Sequence, residues 1–495
     1  MNMKLEKVFN NVYEKKLGFK NLLNGEWVKG KTGDFINIYS PIDSSLLGKV
    51  TAFSREEVDR VYEAARKSQK AWGNLPINKR AEILYRTADL LLEYEEALSE
   101  FLVHEIAKDK KSALSEVRRT ADFIRFTADT SKQIHGEAIP GDSFPGAKKN
   151  KISFVKRVPL GVVLAISPFN YPINLAASKI APALMAGNSV VFKPSTQGSI
   201  SGLLLAEVFN RAGLPKGVLN TVTGKGSVIG DYCVTHKEVD FINFTGSTNV
   251  GQHISSIVGM TPVLLELGGK DAAIVLDDAD LDLAADNIIS GGFSYSGQRC
   301  TAVKRILVME SVADELAQKV QSRIKELKVG DPRQEGNTIG PLINDKAADY
   351  VMELIEDAEE SGATLMTGGT RNERIIEPTL FDNVPITSRL AWEEPFGPVL
   401  PIIRVKTIDE AIDIANQSDY GLQGSIFTTN IDRAFYVADK LEVGTVQINN
   451  KPERGPDHFP FLGVKSSGMG TQGIKYSIEA MTRIKATVIN LHEVK

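Results

Sequence analysis

From residue 161 onward, short apolar runs alternate with segments whose apolar residues recur every three or four positions. The runs at 161–167, 189–193, 218–222, 241–244 and 263–265 read as strands, and 174–186 and 199–212 as helices. That alternation predicts parallel βαβ units, a nucleotide-binding half whose ligands sit at the carboxyl ends of the strands. Upstream, 21–53 reads as small strands broken by turn residues. Ser54 and Glu57 have capping-box spacing, and Val58, Val61, Tyr62 and Ala65 form one helix face behind them. Helices are predicted over 79–94 and 112–133, a polar loop over 141–150 and a strand over 152–159. A second α/β half follows Glu266-Leu-Gly-Gly269. It has helices at 280–295, 313–327, 350–361, 409–417 and 433–441, and strands at 305–309, 424–427 and 445–448.

Composition narrows the class. A chain of 495 residues, 42% hydrophobic and 24% charged, holds two or three globular domains. A net charge of −4 gives no electrostatic reason to expect nucleic acid or an anionic membrane. No apolar run reaches membrane-spanning length, and residues 1–20 lack the apolar core of an export signal. With only two cysteines, a disulfide framework is excluded and a cytoplasmic location is expected. The six histidines are scattered without ligand spacing, so no metal site is expected.

Candidate chemistry concentrates at Phe293-Ser-Tyr-Ser-Gly-Gln-Arg-Cys-Thr301. Cys300 lies in a polar segment beside Arg299, and an adjacent cation draws a thiol towards thiolate. Cys233, in an apolar helical context, reads as packing. The Gly-rich stretches 224–230 and 246–251 match neither the dinucleotide fingerprint nor a P-loop. Phe244-Thr-Gly246-Ser247 nevertheless puts small residues between a strand and a helix, where backbone N–H groups can hold a pyrophosphate. Lys193-Pro-Ser-Thr196 is a second strand end, carrying a cation. Arg118 and Arg119, taken alone, read as solvated helix surface.

Six segments occur in a telling order: Phe169-Asn170, Lys193-Pro-Ser-Thr196, Phe244-Thr-Gly-Ser247, Glu266-Leu-Gly-Gly-Lys270, Gly297-Gln-Arg-Cys300 and Glu394-Pro-Phe-Gly-Pro398. Together they resemble the aldehyde dehydrogenase superfamily over almost the whole chain. Gly297–Lys304 and Ile448–Lys451 through Arg454-Gly455 resemble its non-phosphorylating, NADP-dependent glyceraldehyde-3-phosphate dehydrogenases.

The resemblance implies an α/β fold with a Rossmann-type cofactor domain (1–140 and 159–265) and an α/β catalytic domain (266–470). A small β-oligomerisation element (141–158 and 471–495) joins a partner's sheet, usually in a homotetramer. It makes Cys300 the nucleophile, Asn170 the oxyanion donor and Glu266 the base for thioester hydrolysis. Lys193, Thr196, Gly226, Gly246, Ser247, Glu394 and Phe396 become cofactor contacts. Threonine at 196, where many NAD-preferring relatives carry glutamate, points to NADP, because a carboxylate there would repel a 2′-phosphate. Arg119, Tyr171, Arg299, Thr301 and Arg454 become substrate contacts, the arginines suited to forked binding of phosphate. The implied reaction is irreversible oxidation of D-glyceraldehyde 3-phosphate to 3-phosphoglycerate without inorganic phosphate. The alternative is oxidation of a carboxylate-bearing semialdehyde such as succinic semialdehyde.

Overall fold

The computed structural model describes residues 9–15 and 18–492. Half of the N-terminal stretch read for an export signal, residues 1–8, 16 and 17, therefore lies outside the described residues.

A six-stranded sheet runs in the order Leu219–Thr221, Ser189–Lys193, Val162–Ile166, Phe241–Thr245, Val263–Glu266 and Gly468–Met469. The first five strands are parallel, and only Gly468–Met469 is antiparallel. Successive residues feed opposite cores. Val163, Ala165, Val190 and Phe192 pack on one face, and Val162, Leu164 and Val191 on the other. A strand buried on both faces has no polar alternation, which is why these runs read as continuously apolar. From Val162–Ile166 the chain winds outward through Ser189–Lys193 to Leu219–Thr221. It then crosses back to Phe241–Thr245 on the other side. This reversal of strand order opens a crevice at the carboxyl ends of Val162–Ile166 and Phe241–Thr245.

The second sheet has seven strands, in the order Thr364–Thr367, Thr379–Asp382, Val399–Val405, Arg305–Met309, Ala272–Val275, Gln423–Phe427 and Thr445–Ile448. It is parallel except at Thr364–Thr367 and is likewise covered on both faces. Lys151–Pro159 pairs along its whole length with Thr482–Asn490, while Glu137–Pro140 pairs with its other edge.

The segment 471–495 divides physically. Its helix Ile474–Ala480 buries Ile474 and Ile478 in the core of the first sheet. Only the strand beyond it joins Lys151–Pro159. This helix packs against Lys110–Ser131 and Asn174–Met185, beside the first sheet.

Local signals work as the sequence predicts at Arg55–Gly73, whose capping box is complete and whose Val58, Val61, Tyr62 and Ala65 are buried. The helix expected to reach residue 295 stops at Phe293. Tyr295, Ser296 and Gly297 have φ of +53°, +53° and +73°. Such left-handed backbone is unfavourable for residues bearing a Cβ and needs support from its surroundings. The Tyr295 hydroxyl donates to the Ile106 carbonyl at 2.7 Å and the Ser296 hydroxyl to the Gly340 carbonyl at 2.9 Å. At 297 only glycine fits, because a Cβ would stand 2.3 Å from the Gly397 carbonyl oxygen. This turn delivers Cys300 to the crevice between the two sheets.

Candidate active site

A cavity of about 720 Å³ occupies that crevice. Its walls come from the ends of consecutive parallel strands: Ile166–Asn170, Lys193, Ser195, Phe244–Ser247 and Leu267–Gly268. Cys300, Glu394 and Phe396 close it from the second half.

Cys300 Sγ lies 4.0 Å from Glu266 Oε1. Burial, followed by the neighbouring Glu266 carboxylate, pushes the thiol up to about 12. Glu266 is itself buried, which works against its charge. Arg454, then Lys179 and the Thr245 hydroxyl, outweigh that cost and hold its pKa below the ordinary carboxylate value. Arg454 Nη1 donates to both Glu266 oxygens at 3.0 Å, and its Nη2 donates to Gln472 Oε1 at 2.6 Å. Thr245 Oγ1 donates to Glu266 Oε2 at 2.9 Å and accepts from Lys179 Nζ at 2.6 Å. Burial draws Lys179 down to about 7.

Asn170 donates from Nδ2 to the Gln298 carbonyl at 2.9 Å, so its amide lies on the segment leading into Cys300. Its own carbonyl accepts from Lys108, a fully buried cation paired with Glu116. Glu116 also accepts the N–H groups of Ile173 and Asn174, and Lys108 lies 3.6 Å over the Tyr171 ring. Breaking such a buried pair would leave an uncompensated charge, so Asn170 and Tyr171 stand on a firmly held base.

The arginines separate. Arg118 pairs with Glu95 on the surface. Arg119 reaches inward, forking onto Asp457 at 2.7 and 2.8 Å and donating to the Arg454 carbonyl at 2.5 Å. Arg299 is held by the Ser290 carbonyl and the Ser294 hydroxyl. The cation bonded to the Cys300 backbone is instead Lys304, whose ammonium donates to the Cys300 carbonyl. Thr301 is buried and is not part of the cavity wall.

On the cofactor side, Lys193 and Ser195 line the cavity, whereas Thr196 is exposed and turned out of its wall. The Ser195 hydroxyl donates to the Gln197 carbonyl. Gly226 and Gly230 face open space. Ser247 is the N-cap of Thr248–Ile257 yet makes no side-chain bond to that helix, leaving a hydroxyl beside free helix N–H groups. Glu394 accepts from Gly269 N at 3.2 Å and pairs with Lys304 at 2.9 Å. Phe396, at φ +48°, meets Phe169 edge-on. Small residues at a helix N-terminus, a buried lysine and a carboxylate at the far end suit an elongated dinucleotide.

Residues 27–487 match the sequence pattern of the aldehyde dehydrogenase family. The chain belongs to that family. This aldehyde dehydrogenase is 58% identical over 473 residues to the NADP-dependent glyceraldehyde-3-phosphate dehydrogenase of Streptococcus equinus, covering 96% of the chain and 99% of the relative. It is 50% identical to the enzyme of that name from Pisum sativum, over 96% of the chain and 95% of the relative. Among solved structures, it matches the NADP-dependent glyceraldehyde-3-phosphate dehydrogenase from Bacillus halodurans C-125, complexed with NADP. The TM-score is 0.94 at 56% identity, covering 96% of the chain and 99% of that structure.

Sequence reasoning missed Lys108, Glu116, Lys179, Lys304, Asp457 and Gln472 in this aldehyde dehydrogenase. Lys179 did leave a signal, as a lone charge inside the apolar run 174–185. Lys108 and Glu116 left none, since two charges eight residues apart on helical segments look like surface.

Proposed function

We propose that this aldehyde dehydrogenase oxidises D-glyceraldehyde 3-phosphate to 3-phosphoglycerate with NADP and water, without inorganic phosphate. The observation that carries the substrate reading is the meeting of Arg119 and Arg454, from opposite ends of the chain, beside Glu266. One guanidinium on Glu266 and a second held against the backbone carbonyl of the same arginine are poorly used on an uncharged aldehyde and well used on a phosphate.

Cys300 as thiolate adds to the aldehyde carbon, and the alkoxide of the resulting thiohemiacetal is met by the Asn170 amide. NADP, when bound, would supply the hydride acceptor that lets the Cys300 thiohemiacetal become a thioester. Glu266, 4.0 Å from the sulfur, removes a proton from the water that attacks the thioester carbon. The acid leaves and the thiol is restored. Lys193 and Thr196, with Ser195 between them in the loop, would meet the adenosine ribose and its 2′-phosphate, Gly246 and Ser247 the pyrophosphate, Gly226 the adenine side, and Glu394 and Phe396 the nicotinamide end. Substrate phosphate would compete with Glu266 for Arg454, and with Asp457 for Arg119. An anionic substrate would thereby loosen the base it needs for the second half of the reaction.

The same reading supports a homotetramer built through the Thr482–Asn490 strand, and a cytoplasmic location for a protein with two unpaired cysteines.

The test is NADPH formation from D-glyceraldehyde 3-phosphate without added phosphate, beside NAD and succinic semialdehyde. Wild type should turn over the phosphorylated aldehyde with NADP. Arg119→Leu should lose about 10–100-fold in kcat/KM, the equivalent of ~1.5–3 kcal/mol for a hydrogen bond to a charged group. Preference for the semialdehyde would make the arginines a carboxylate clamp and overturn the substrate assignment.

A further inference from the structure

Lys304 belongs to none of the roles above, yet it touches both ends of the chemistry. It follows Cys300 by four residues and is 1% exposed. Its ammonium donates to the Cys300 carbonyl and lies 2.9 Å from Glu394 Oε1. Its backbone N–H is fixed by the Asp271 carbonyl at 3.0 Å. Glu394 is held in turn by Gly269 N at 3.2 Å. It lies so close to the preceding turn that a Cβ at Gly268 would stand 2.1 Å from Oε2. A dehydrated ammonium is costly unless paired, and these two acceptors take two of its three donors.

We propose that Lys304 is a positioning residue that ties the carboxylate facing the cofactor cavity to the backbone of the nucleophile. The positive charge Cys300 feels is then set by how fully Glu394 compensates Lys304. This rests on reading Cys300 as the nucleophile and Glu394 as a cofactor contact. Arg299, adjacent in sequence, is held on Ser290 and Ser294 and leaves this position to Lys304. The charges around the thiol are Glu266 and Asp271, which oppose its ionisation, and Lys304 and Arg454, which favour it, with Lys179 behind Thr245. Those around Lys304 are Glu394, Asp271 and Lys270, with Arg305 acting on the last two. Lys304 is the first among the groups favouring the thiolate, and Glu394 is the carboxylate bonded to it.

The two partners therefore have opposite signs. Replacing Lys304 by a neutral side chain raises the thiol pKa. Replacing Glu394 by its amide leaves Lys304 uncompensated and lowers it. The readout is the rate of Cys300 alkylation by iodoacetamide at fixed pH near 8.5 in cofactor-free protein, with Cys300→Ser subtracting any reaction at buried Cys233. Each unit of pKa is a tenfold change in thiolate fraction. Lys304→Met should slow alkylation about tenfold or more, and Lys304→Arg should recover most of the rate. Glu394→Gln should speed it by a similar factor, and the double variant should lose that gain. A role confined to packing would loosen the site in both single variants and move them in the same direction, or in neither.

Unchanged alkylation in Lys304→Met, or a shift of equal sign in both single variants, overturns the inference. Should Lys304→Met fail to fold, Glu394→Gln decides alone. A faster rate supports the tie, and an equal or slower one overturns it. If Cys300→Ser itself retained turnover, the nucleophile assignment would fall, an outcome separate from every one of these.

Discussion

At the scale of single residues, the site is governed by how few charges face Cys300 and how tightly each is held. Glu266 is kept ionised by Arg454 and Lys179 despite burial, and it opposes ionisation of the thiol 4.0 Å away. Glu266→Gln should therefore leave acylation possible and stop hydrolysis. Intact-mass spectrometry after mixing with substrate and NADP should find the acyl adduct on Cys300; its absence would remove Glu266 from the role of base. Asn170→Ala should lower kcat about 10²–10³-fold, the ordinary loss for one oxyanion donor. Cys300, Glu266 and Asn170 were legible in the sequence as candidates because six short segments stand together in one order, not because any one segment is telling alone. The cation on the nucleophile was misplaced there, since adjacency made Arg299 the candidate and folding gave the position to Lys304. At the end of the Ser189–Lys193 strand the order of exposure was not legible either: Ser195 lines the cavity and Thr196 is exposed.

At the scale of elements, the strand ends that shape the cavity depend on the helix behind them. Ser199–Arg211 begins directly after the Lys193–Thr196 turn, and its Ile200 and Ser201 N–H groups donate to the buried Glu105 carboxylate at 2.9 Å. Burial nevertheless lifts Glu105 to about 7. In this case the folded protein holds a proton that the unfolded chain has released. Glu105 thus subtracts stability as pH rises from about 4.5 to about 7 and subtracts nothing further above that. Glu105→Gln cannot titrate, so the difference in thermal midpoint between variant and wild type should change across that window and be flat above it. Thermal melts at pH 4.5, 6 and 8 test this, and a constant difference would show that Glu105 keeps an ordinary carboxylate pKa. Helix and strand positions were largely legible because apolar periodicity is local. The early stop at Phe293 was not, because Tyr295 and Ser296 are driven into left-handed backbone by contacts with Ile106 and Gly340, far away in sequence.

At the scale of the whole molecule, the three-stranded sheet of 137–140, 151–159 and 482–490 is buried on neither face. Ile484, Val488 and Ile139 are exposed on it, and Phe154 and Ile489 alternate with them. Apolar side chains exposed on both faces make this sheet the surface through which the proposed homotetramer would form. On that proposal, Ile484→Glu with Val488→Glu should give smaller species than wild type in light scattering after size exclusion. An unchanged mass would place the interface elsewhere. The sequence by itself determined the two α/β halves and the strand ends that face the cavity, because periodicity and turn signals are written within a few residues, and its ordered set of six segments brought out Cys300, Glu266 and Asn170 as candidates. Only the tertiary structure decided which cation reaches the nucleophile, that Arg454 clasps Glu266 while Arg119 clasps Asp457, and that Ile474–Ala480 packs with the first sheet. Those outcomes depend on which charges and apolar faces meet across hundreds of residues once the cores close, and local patterning carries no record of that meeting.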